Sequence, residues 1–272
     1  MSNILLESSA HALVKALTDN LHAHIPFYSN LPGAILWDEP DLLALLTDLD
    51  SSESMVYRTH FAAEDARKRI EQILQRFHSQ GCLPMYWQVG PFTLPVDLGK
   101  YLQAQGFQFF VRAPGMAVNL QELEKEPPIS GNFVIEPVKT SDQLRKWVNI
   151  VAKVDEISDA LREGFFRMFE NQRADLGANS QLFLGTENGQ PVATSRLFCA
   201  GGVAGIWHVA TISEARGRGY GTAMTLAAAH SGHELGMRFG VLYATAAGYS
   251  VYCRLGFQEY CHIDVYKSPD QE

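Results

Sequence analysis

The sequence predicts an α+β fold in which helices flank a mixed, mostly antiparallel sheet. The dipeptides Asn188-Gly189 and Gly201-Gly202 are typical of tight hairpins and separate extended apolar segments. These segments lie at 181–186, 191–199 and 203–211. The third leads through a glycine-rich turn into a helical pattern that begins near Tyr220, so an antiparallel meander is followed by a strand–turn–helix unit.

Length and composition limit the number of domains. With 272 residues, 46% of them hydrophobic, the chain can form one large domain or two of ordinary size. Residues 120–130 are first charged and then proline-rich, which is typical of a linker. We therefore predict an N-terminal domain at 1–125 and a C-terminal domain at 132–268.

The predicted N-terminal domain mixes helices and strands. Apolar residues recur at helical spacing over 8–28 and 62–79, and a third helix follows Pro95. Strands are predicted at 34–37, 55–58, 85–89 and 107–120. The last of these strands is expected to be interrupted at Pro114-Gly115, because proline has no N–H to donate to a sheet.

The C-terminal domain is predicted to begin with a strand and two helices. The second helix has Ser158 as its expected N-cap, since a serine side chain can accept a hydrogen bond from a free helix N–H. In chain order the predicted elements outside the meander are a strand at 133–138, helices at 141–154, 159–170 and 219–235, a strand at 239–245, a short helix around 249–255 and a strand at 257–266.

The segment from Arg216 to Thr222 has glycines at positions 217, 219 and 221. Glycines at alternate positions remove the Cβ atoms from one side of a turn, so its amides can approach a ligand closely. The following helix directs its free N–H groups and the positive end of its dipole to the same place. Together with the charges of Arg216 and Arg218, these features predict a seat for a phosphate or pyrophosphate.

Two well-known phosphate motifs do not fit this loop. Counting from Gly217, a dinucleotide fingerprint would require glycine at Thr222, and the Gly-Lys-Ser/Thr end of a P-loop is absent. The spacing of Arg216, Gly219 and Gly221 instead resembles the pyrophosphate loop of GCN5-related N-acetyltransferases (GNATs). Downstream, Tyr252-Cys-Arg-Leu-Gly-Phe257 looks like a second signature of that family.

The resemblance implies a tandem GNAT-like acyl-CoA N-acyltransferase fold and an acetyl-CoA-dependent transfer of an acetyl group to a primary amine by direct attack. The family's pyrophosphate loop corresponds to Arg216, Gly217, Arg218, Gly219, Tyr220, Gly221 and Thr222. Backbone groups of Val209, Ala210 and Thr211 correspond to those that bind the pantetheine arm and polarise the thioester carbonyl. A non-catalytic acyl-CoA-binding or regulatory module is the alternative function.

Two residues are candidates for proton transfer. Tyr252 resembles the tyrosine that protonates the departing thiolate in the family, and a phenol suits this role because it is protonated at neutral pH. His208 lies in the strand before the loop and is the candidate base. Strand alternation places it opposite Val209 and Thr211, so a purely packing role is equally compatible. The resemblance also places Asp155, Glu156 and Glu163 in the helical region that lines the acceptor side in the family, and Glu214 adjoins the loop. For each of these carboxylates we expect a solvated surface position.

The N-terminal half carries a weaker echo of the second signature. Leu102-Gln-Ala-Gln-Gly-Phe-Gln108 parallels Cys253-Arg-Leu-Gly-Phe-Gln258, and each follows a short predicted helix and precedes an extended segment. A chance Gly-Phe after a helix is the alternative explanation. We predict that the N-terminal domain is a degenerate copy of the fold that lacks the glycine loop, which leaves one cofactor site per chain.

The remaining composition suggests classes of partner. A net charge of −8 argues against nucleic acid and favours a small-molecule or peptide amine as acceptor. The four cysteines lack C-x-x-C spacing, so neither a metal site nor a disulfide framework is expected. No apolar run approaches about 18 residues and no leader pattern opens the sequence, so we expect no membrane association and a cytoplasmic location.

Overall fold

The computed structural model describes residues 4–49, 53–123, 132–172 and 179–269. Its helices are α1 (Ala10–Tyr28), α2 (Ala66–Ser79), α3 (Leu98–Ala104), α4 (Ser141–Asp155), α5 (Asp159–Asn171), α6 (Tyr220–Glu234) and α7 (Ala246–Arg254). Its strands are β1 (Ile35–Glu39), β2 (Leu42–Leu46), β3 (Met55–Thr59), β4 (Tyr86–Val89), β5 (Gln108–Asn119), β6 (Phe133–Pro137), β7 (Ser180–Glu187), β8 (Gln190–Ala200), β9 (Val203–Thr211), β10 (Phe239–Tyr243) and β11 (Gln258–Lys267).

The chain forms two compact units. The C-terminal unit comprises the chain up to His24 together with Gly115–Tyr260, and the N-terminal unit comprises Ile25–Pro114 together with the chain from Cys261 onward. These bounds differ from the predicted domains at 1–125 and 132–268. Composition changes at a linker are visible in a sequence, whereas the exchange of a helix or a strand between units depends on tertiary contacts.

The sheet of the C-terminal unit follows the predicted meander. The strands β6, β7, β8 and β9 are paired antiparallel in that order, and β10 follows in parallel with β9. Residues 115–119 of β5 then pair antiparallel with β10. The helix α6 packs closely on β9 at Gly232, where the absence of a side chain permits the contact. A Cβ added at Gly232 would lie 2.5 Å from the Cβ of Ala204. The predicted mixed, mostly antiparallel sheet is confirmed.

In the N-terminal unit, β1, β2 and β3 form an antiparallel sheet that β4 extends in parallel with β3. Residues 264–267 of β11 pair antiparallel with β4. Every residue of β2 is buried, and the sheet packs on Ile70, Ile73 and Phe77 of α2. The sequence prediction missed β2, since a short apolar run without alternation or turn residues is ambiguous between strand and helix.

The order strand, helix, parallel strand, short helix, long strand occurs twice along the chain, in β3–α2–β4–α3–β5 and in β9–α6–β10–α7–β11. Both short helices end at a glycine in the left-handed region, Gly106 with φ of 85° and Gly256 with φ of 90°. Phe107 N–H donates to Leu102 C=O, and Phe257 N–H donates to Tyr252 C=O in the same way. The echo in the sequence therefore marks a repeated fold, as predicted.

The repeat differs where the C-terminal unit has its glycine loop. In the N-terminal unit β3 pairs with β4 at Met55↔Tyr86 and Val56↔Trp87. Beyond these pairs, Leu94 N–H donates to Thr59 C=O and Phe61 N–H donates to Leu94 C=O, each at 3.0 Å. The main chain at Leu94 thus fills the gap that two diverging strands would otherwise leave.

The first turns of α1 are fastened to the C-terminal unit by Asn20, which is fully buried. Its Nδ2 donates to the carbonyl oxygens of Phe198 at 3.0 Å and Ala200 at 3.1 Å, and its Oδ1 accepts from Trp207 Nε1 at 3.1 Å. A Cβ added at Gly205 would lie 2.2 Å from this Oδ1, so glycine is required there. The segment up to His24 is therefore an integral part of the C-terminal unit.

Replacement of Asn20 by alanine is expected to lower the free energy of unfolding by roughly 2–4 kcal/mol, because three partly buried polar groups lose their partner. Lys15→Ala is the matched control on the same helix. It removes an exposed ion pair with Asp19 and should cost at most about 1 kcal/mol. Urea unfolding of the two variants measures the difference, and equal midpoints would show that Asn20 does not hold α1 in place.

No helix in the described ranges combines the length and apolar character needed to cross a bilayer.

Candidate functional site

A cavity of about 390 Å³ opens in the C-terminal unit where β9 and β10 diverge. The two strands pair at Ala204↔Gly240 and Gly205↔Val241, and in the described part of the chain no further pair joins them. The cavity is lined by Val154, Asp155, Val209, Ala210, Thr211, Ala215, Arg216, Gly217, Gly219, Tyr220, Gly221, Thr222, Thr245, Ala247, Gly248, Val251, Tyr252 and Arg254. It thus brings together nearly all of the sequence-predicted site residues.

The glycine loop forms one wall of this cavity. Gly217 and Gly219 have φ values of 78° and 82°, and a Cβ added at either would meet no atom within 4 Å. The space beside them is therefore open to a ligand. Because the first hydrogen bond of α6 runs from Ala223 N–H to Gly219 C=O, the preceding amides at the helix start have no partner one turn back. This arrangement fits a pyrophosphate.

Of the two arginines predicted to supply charge, only Arg216 lines the cavity within the described residues. Arg218 Nη1 donates to both carboxylate oxygens of Glu187 at 2.8 Å, and Tyr220 Oη donates to the same carboxylate at 2.6 Å. The hydrogen bond from Tyr220, followed by that from Arg218, lowers the pKa of Glu187. Arg218 therefore fastens the loop to β7, which the sequence motif did not reveal.

A bulge in β9 sets the direction of the strand at the cavity. Thr194 pairs with Ala210, and Arg196 pairs with Trp207. Two residues of β9, His208 and Val209, therefore lie opposite the single residue Ser195 of β8. His208 has a φ of 48°, and its carbonyl oxygen accepts a hydrogen bond of 2.9 Å from the buried Thr194 Oγ1. Such a bulge re-aims the strand locally, and Val209 lines the cavity as a result.

The His208 side chain does not line the cavity in the described structure. Its ring lies 5.3 Å from that of Trp147 and 6.3 Å from that of His24. Burial, and secondly the charge of Arg196, lower the pKa of His208 to about 3. An imidazole with this pKa is a weak base at neutral pH. Its low pKa and its position outside the cavity lining both favour the packing role over proton transfer.

Tyr252 lies on the α7 side of the cavity and is 8% exposed. Burial raises the pKa of its phenol to about 12, so the hydroxyl is protonated at neutral pH and can donate. A Cβ added at Gly248 would lie 2.7 Å from the tyrosine ring, which therefore depends on glycine one helical turn before it. The side chain is placed as the sequence motif predicts.

The sequence prediction missed the remaining cavity walls. Val154 and Asp155 come from the end of α4, whereas Thr245, Gly248 and Arg254 belong to α7 or to its N-cap. Gly248 could have been found from its spacing to Tyr252, because residues four apart share a helix face. For Asp155, the resemblance indicates a helical region on the acceptor side but does not distinguish this residue from Glu156. In the described residues no group of His, Cys, Asp and Glu side chains could hold a metal ion.

A protein-family model matches the part of the C-terminal unit that forms most of the cavity wall. Residues 178–259 match the family described as acetyltransferase (GNAT) domain. These residues belong to a GNAT domain. No curated protein sequence matches the chain.

Solved structures extend the GNAT likeness beyond the matched segment. A GCN5-related N-acetyltransferase from Kribbella flavida is 18% identical, with a TM-score of 0.69 over 93% of this chain and 96% of that one. A tandem GNAT protein from the clavulanic acid biosynthesis pathway is 14% identical, with a TM-score of 0.63 over 99% of both chains. A GCN5-related N-acetyltransferase from Sphaerobacter thermophilus is 15% identical, with a TM-score of 0.61 over 95% of both. The tandem GNAT fold is therefore shown for the chain.

Proposed function

We propose that this protein is an acetyl-CoA-dependent N-acetyltransferase that acts on a primary amine by direct attack. One observation carries the proposal: a single cavity is lined by the diverging strand at Val209–Thr211, the glycine loop and Tyr252. The GNAT match at 178–259 covers all three elements and supports an acetyl-transfer reaction.

Each wall of the cavity has a part in this function. Bound acetyl-CoA would supply an acetyl group activated as a thioester. The amides of the glycine loop and the positive end of α6 would hold its pyrophosphate, with Arg216 adding a full charge. Backbone groups of Val209, Ala210 and Thr211 would orient the pantetheine arm, and a directed amide at the reacting carbonyl can contribute about 3 kcal/mol to catalysis. Tyr252 would keep a proton ready for the departing sulfur.

The proposal is tested by two measurements on the purified full chain. Calorimetric titration with acetyl-CoA is expected to show one site per chain, because Leu94 fills the corresponding gap in the N-terminal unit. Release of free thiol is then followed with a panel of aliphatic diamines, amino sugars, amino-acid amides and aromatic amines. Binding without release of thiol would support the non-catalytic acyl-CoA-binding module, and absence of binding would contradict both functions.

A further inference from the structure

Two helix termini of opposite polarity line the same cavity. α6 begins there at Tyr220, and α4 ends there with Val154 and Asp155. Helix dipoles place a partial positive charge at the start of α6 and a partial negative charge at the end of α4. The α6 terminus carries Arg216 beside it and suits an anion, whereas the α4 terminus carries a carboxylate and suits a cation.

Asp155 is the one carboxylate among the described residues that line the cavity; the other charged groups there are Arg216 and Arg254. Asp155 is exposed to solvent on one side, and the protein atoms around it raise the pKa of its carboxyl by partial desolvation. The next residue, Glu156, ends the helix with φ of 54° and does not line the cavity. Of these two adjacent carboxylates, only Asp155 lines the cavity.

We propose that Asp155 binds the acceptor amine as its ammonium ion and accepts the first proton that the nitrogen loses. The inference rests on the proposed acetyl transfer and narrows its acceptors to aliphatic primary amines, which are cationic at neutral pH. A carboxylate at a helix C-terminus attracts such a group both by its own charge and by the dipole. Asp155 is exposed to solvent, as the sequence predicts, and it also lines the cavity.

The proton balance of the transfer is closed by groups in the same cavity. One proton passes from the ammonium to Asp155 and then to solvent, which leaves a neutral amine. The nitrogen–carbon bond forms and the carbon–sulfur bond breaks, with the bonding electrons of the latter left on sulfur. Tyr252 protonates the sulfur and is reprotonated, through solvent, by the second proton that the nitrogen loses. The net products are an amide, a free thiol and one proton.

The experiment compares Asp155→Asn with Glu156→Gln, which removes the same charge one residue further on and outside the cavity wall. Initial rates are measured with the aliphatic amine that the wild type acetylates fastest and with an aromatic amine, which is uncharged at neutral pH. Asp155→Asn is expected to lower kcat/KM for the aliphatic amine between about tenfold and a hundredfold, the scale of a hydrogen bond to a charged group. Acetyl-CoA affinity and Glu156→Gln kinetics should stay within threefold of wild type.

The selectivity between the two amines separates a direct role from a structural one. The ratio of aliphatic to aromatic kcat/KM is expected to fall at least tenfold in Asp155→Asn. An equal loss with both amines, or kinetics like those of Glu156→Gln, would overturn the assignment of Asp155 and leave the acetyl transfer standing. Absence of turnover by the wild type with every amine would overturn the acetyl transfer itself, and the role of Asp155 with it.

Discussion

Gly219→Val is expected to weaken acetyl-CoA binding by about 10²-fold or more, since hydrogen bonds to a charged group contribute roughly 1.5–3 kcal/mol each and several amides of the loop would be displaced. The valine side chain would project into the open space beside the loop. It would also be strained, because Gly219 has a φ of 82° and a β-branched residue in this region costs roughly 1–3 kcal/mol. Calorimetry with acetyl-CoA measures the affinity.

The strain of Gly219→Val needs a control with the same backbone cost. Gly189 has a φ of 79°, its added Cβ likewise meets nothing within 4 Å, and it lies in the β7–β8 hairpin. Gly189→Val should therefore lose similar stability and keep its affinity. Unchanged affinity in Gly219→Val would place the cofactor elsewhere.

Tyr252→Phe is expected to slow acetyl transfer by about 10²-fold, the lower end of the usual contribution of a positioned proton donor. The phenyl ring would keep the packing against Phe257, whose ring centroid lies 5.9 Å away, so acetyl-CoA affinity should hardly change. Single-turnover kinetics isolate the chemical step from product release. Equal single-turnover rates in the two proteins would reduce Tyr252 to a packing residue.

The same substitution has a signature at alkaline pH. Burial raises the folded-state pKa of Tyr252 from 10.0 to about 12. A group with a raised folded pKa contributes its full stability below the unfolded pKa, and this contribution is lost as pH rises from 10 toward 12. Tyr252→Phe should therefore lose less stability than the wild type over that interval when thermal unfolding is followed. If wild type and Tyr252→Phe lost equal stability between pH 10 and 12, the phenol of Tyr252 would have the same pKa in the folded and unfolded protein.

The parts of the site that the sequence could predict are those set by local geometry. A glycine loop at a helix start and the Tyr252 motif depend on residues within a few positions of one another, and the structure places both at the cavity. Ser158 likewise caps α5 as predicted, with its side chain accepting from Leu161 N–H. Such features follow from the backbone conformation that the residues themselves favour.

The parts that the sequence could not predict depend on contacts distant along the chain. Glu187 binds the guanidinium of Arg218 from 31 positions away, and the β9 bulge places His208 beside Trp147. The predicted interruption of β5 at Pro114-Gly115 is also absent, because β5 runs continuously from Gln108 to Asn119. The remainder of the predicted linker, 124–130, lies outside the described residues.

The pairing of β11 with β4 constrains how this protein can fold during synthesis. The N-terminal unit obtains residues 264–267 for its sheet from a strand that is translated after all the other strands of both units. Its remaining strands therefore leave the ribosome with β4 lacking that neighbour, and unpaired strand edges are prone to association with other chains. The sheet of the N-terminal unit cannot be completed until β11 has been translated. During synthesis this unit is therefore the one that a chaperone would protect from association with other chains.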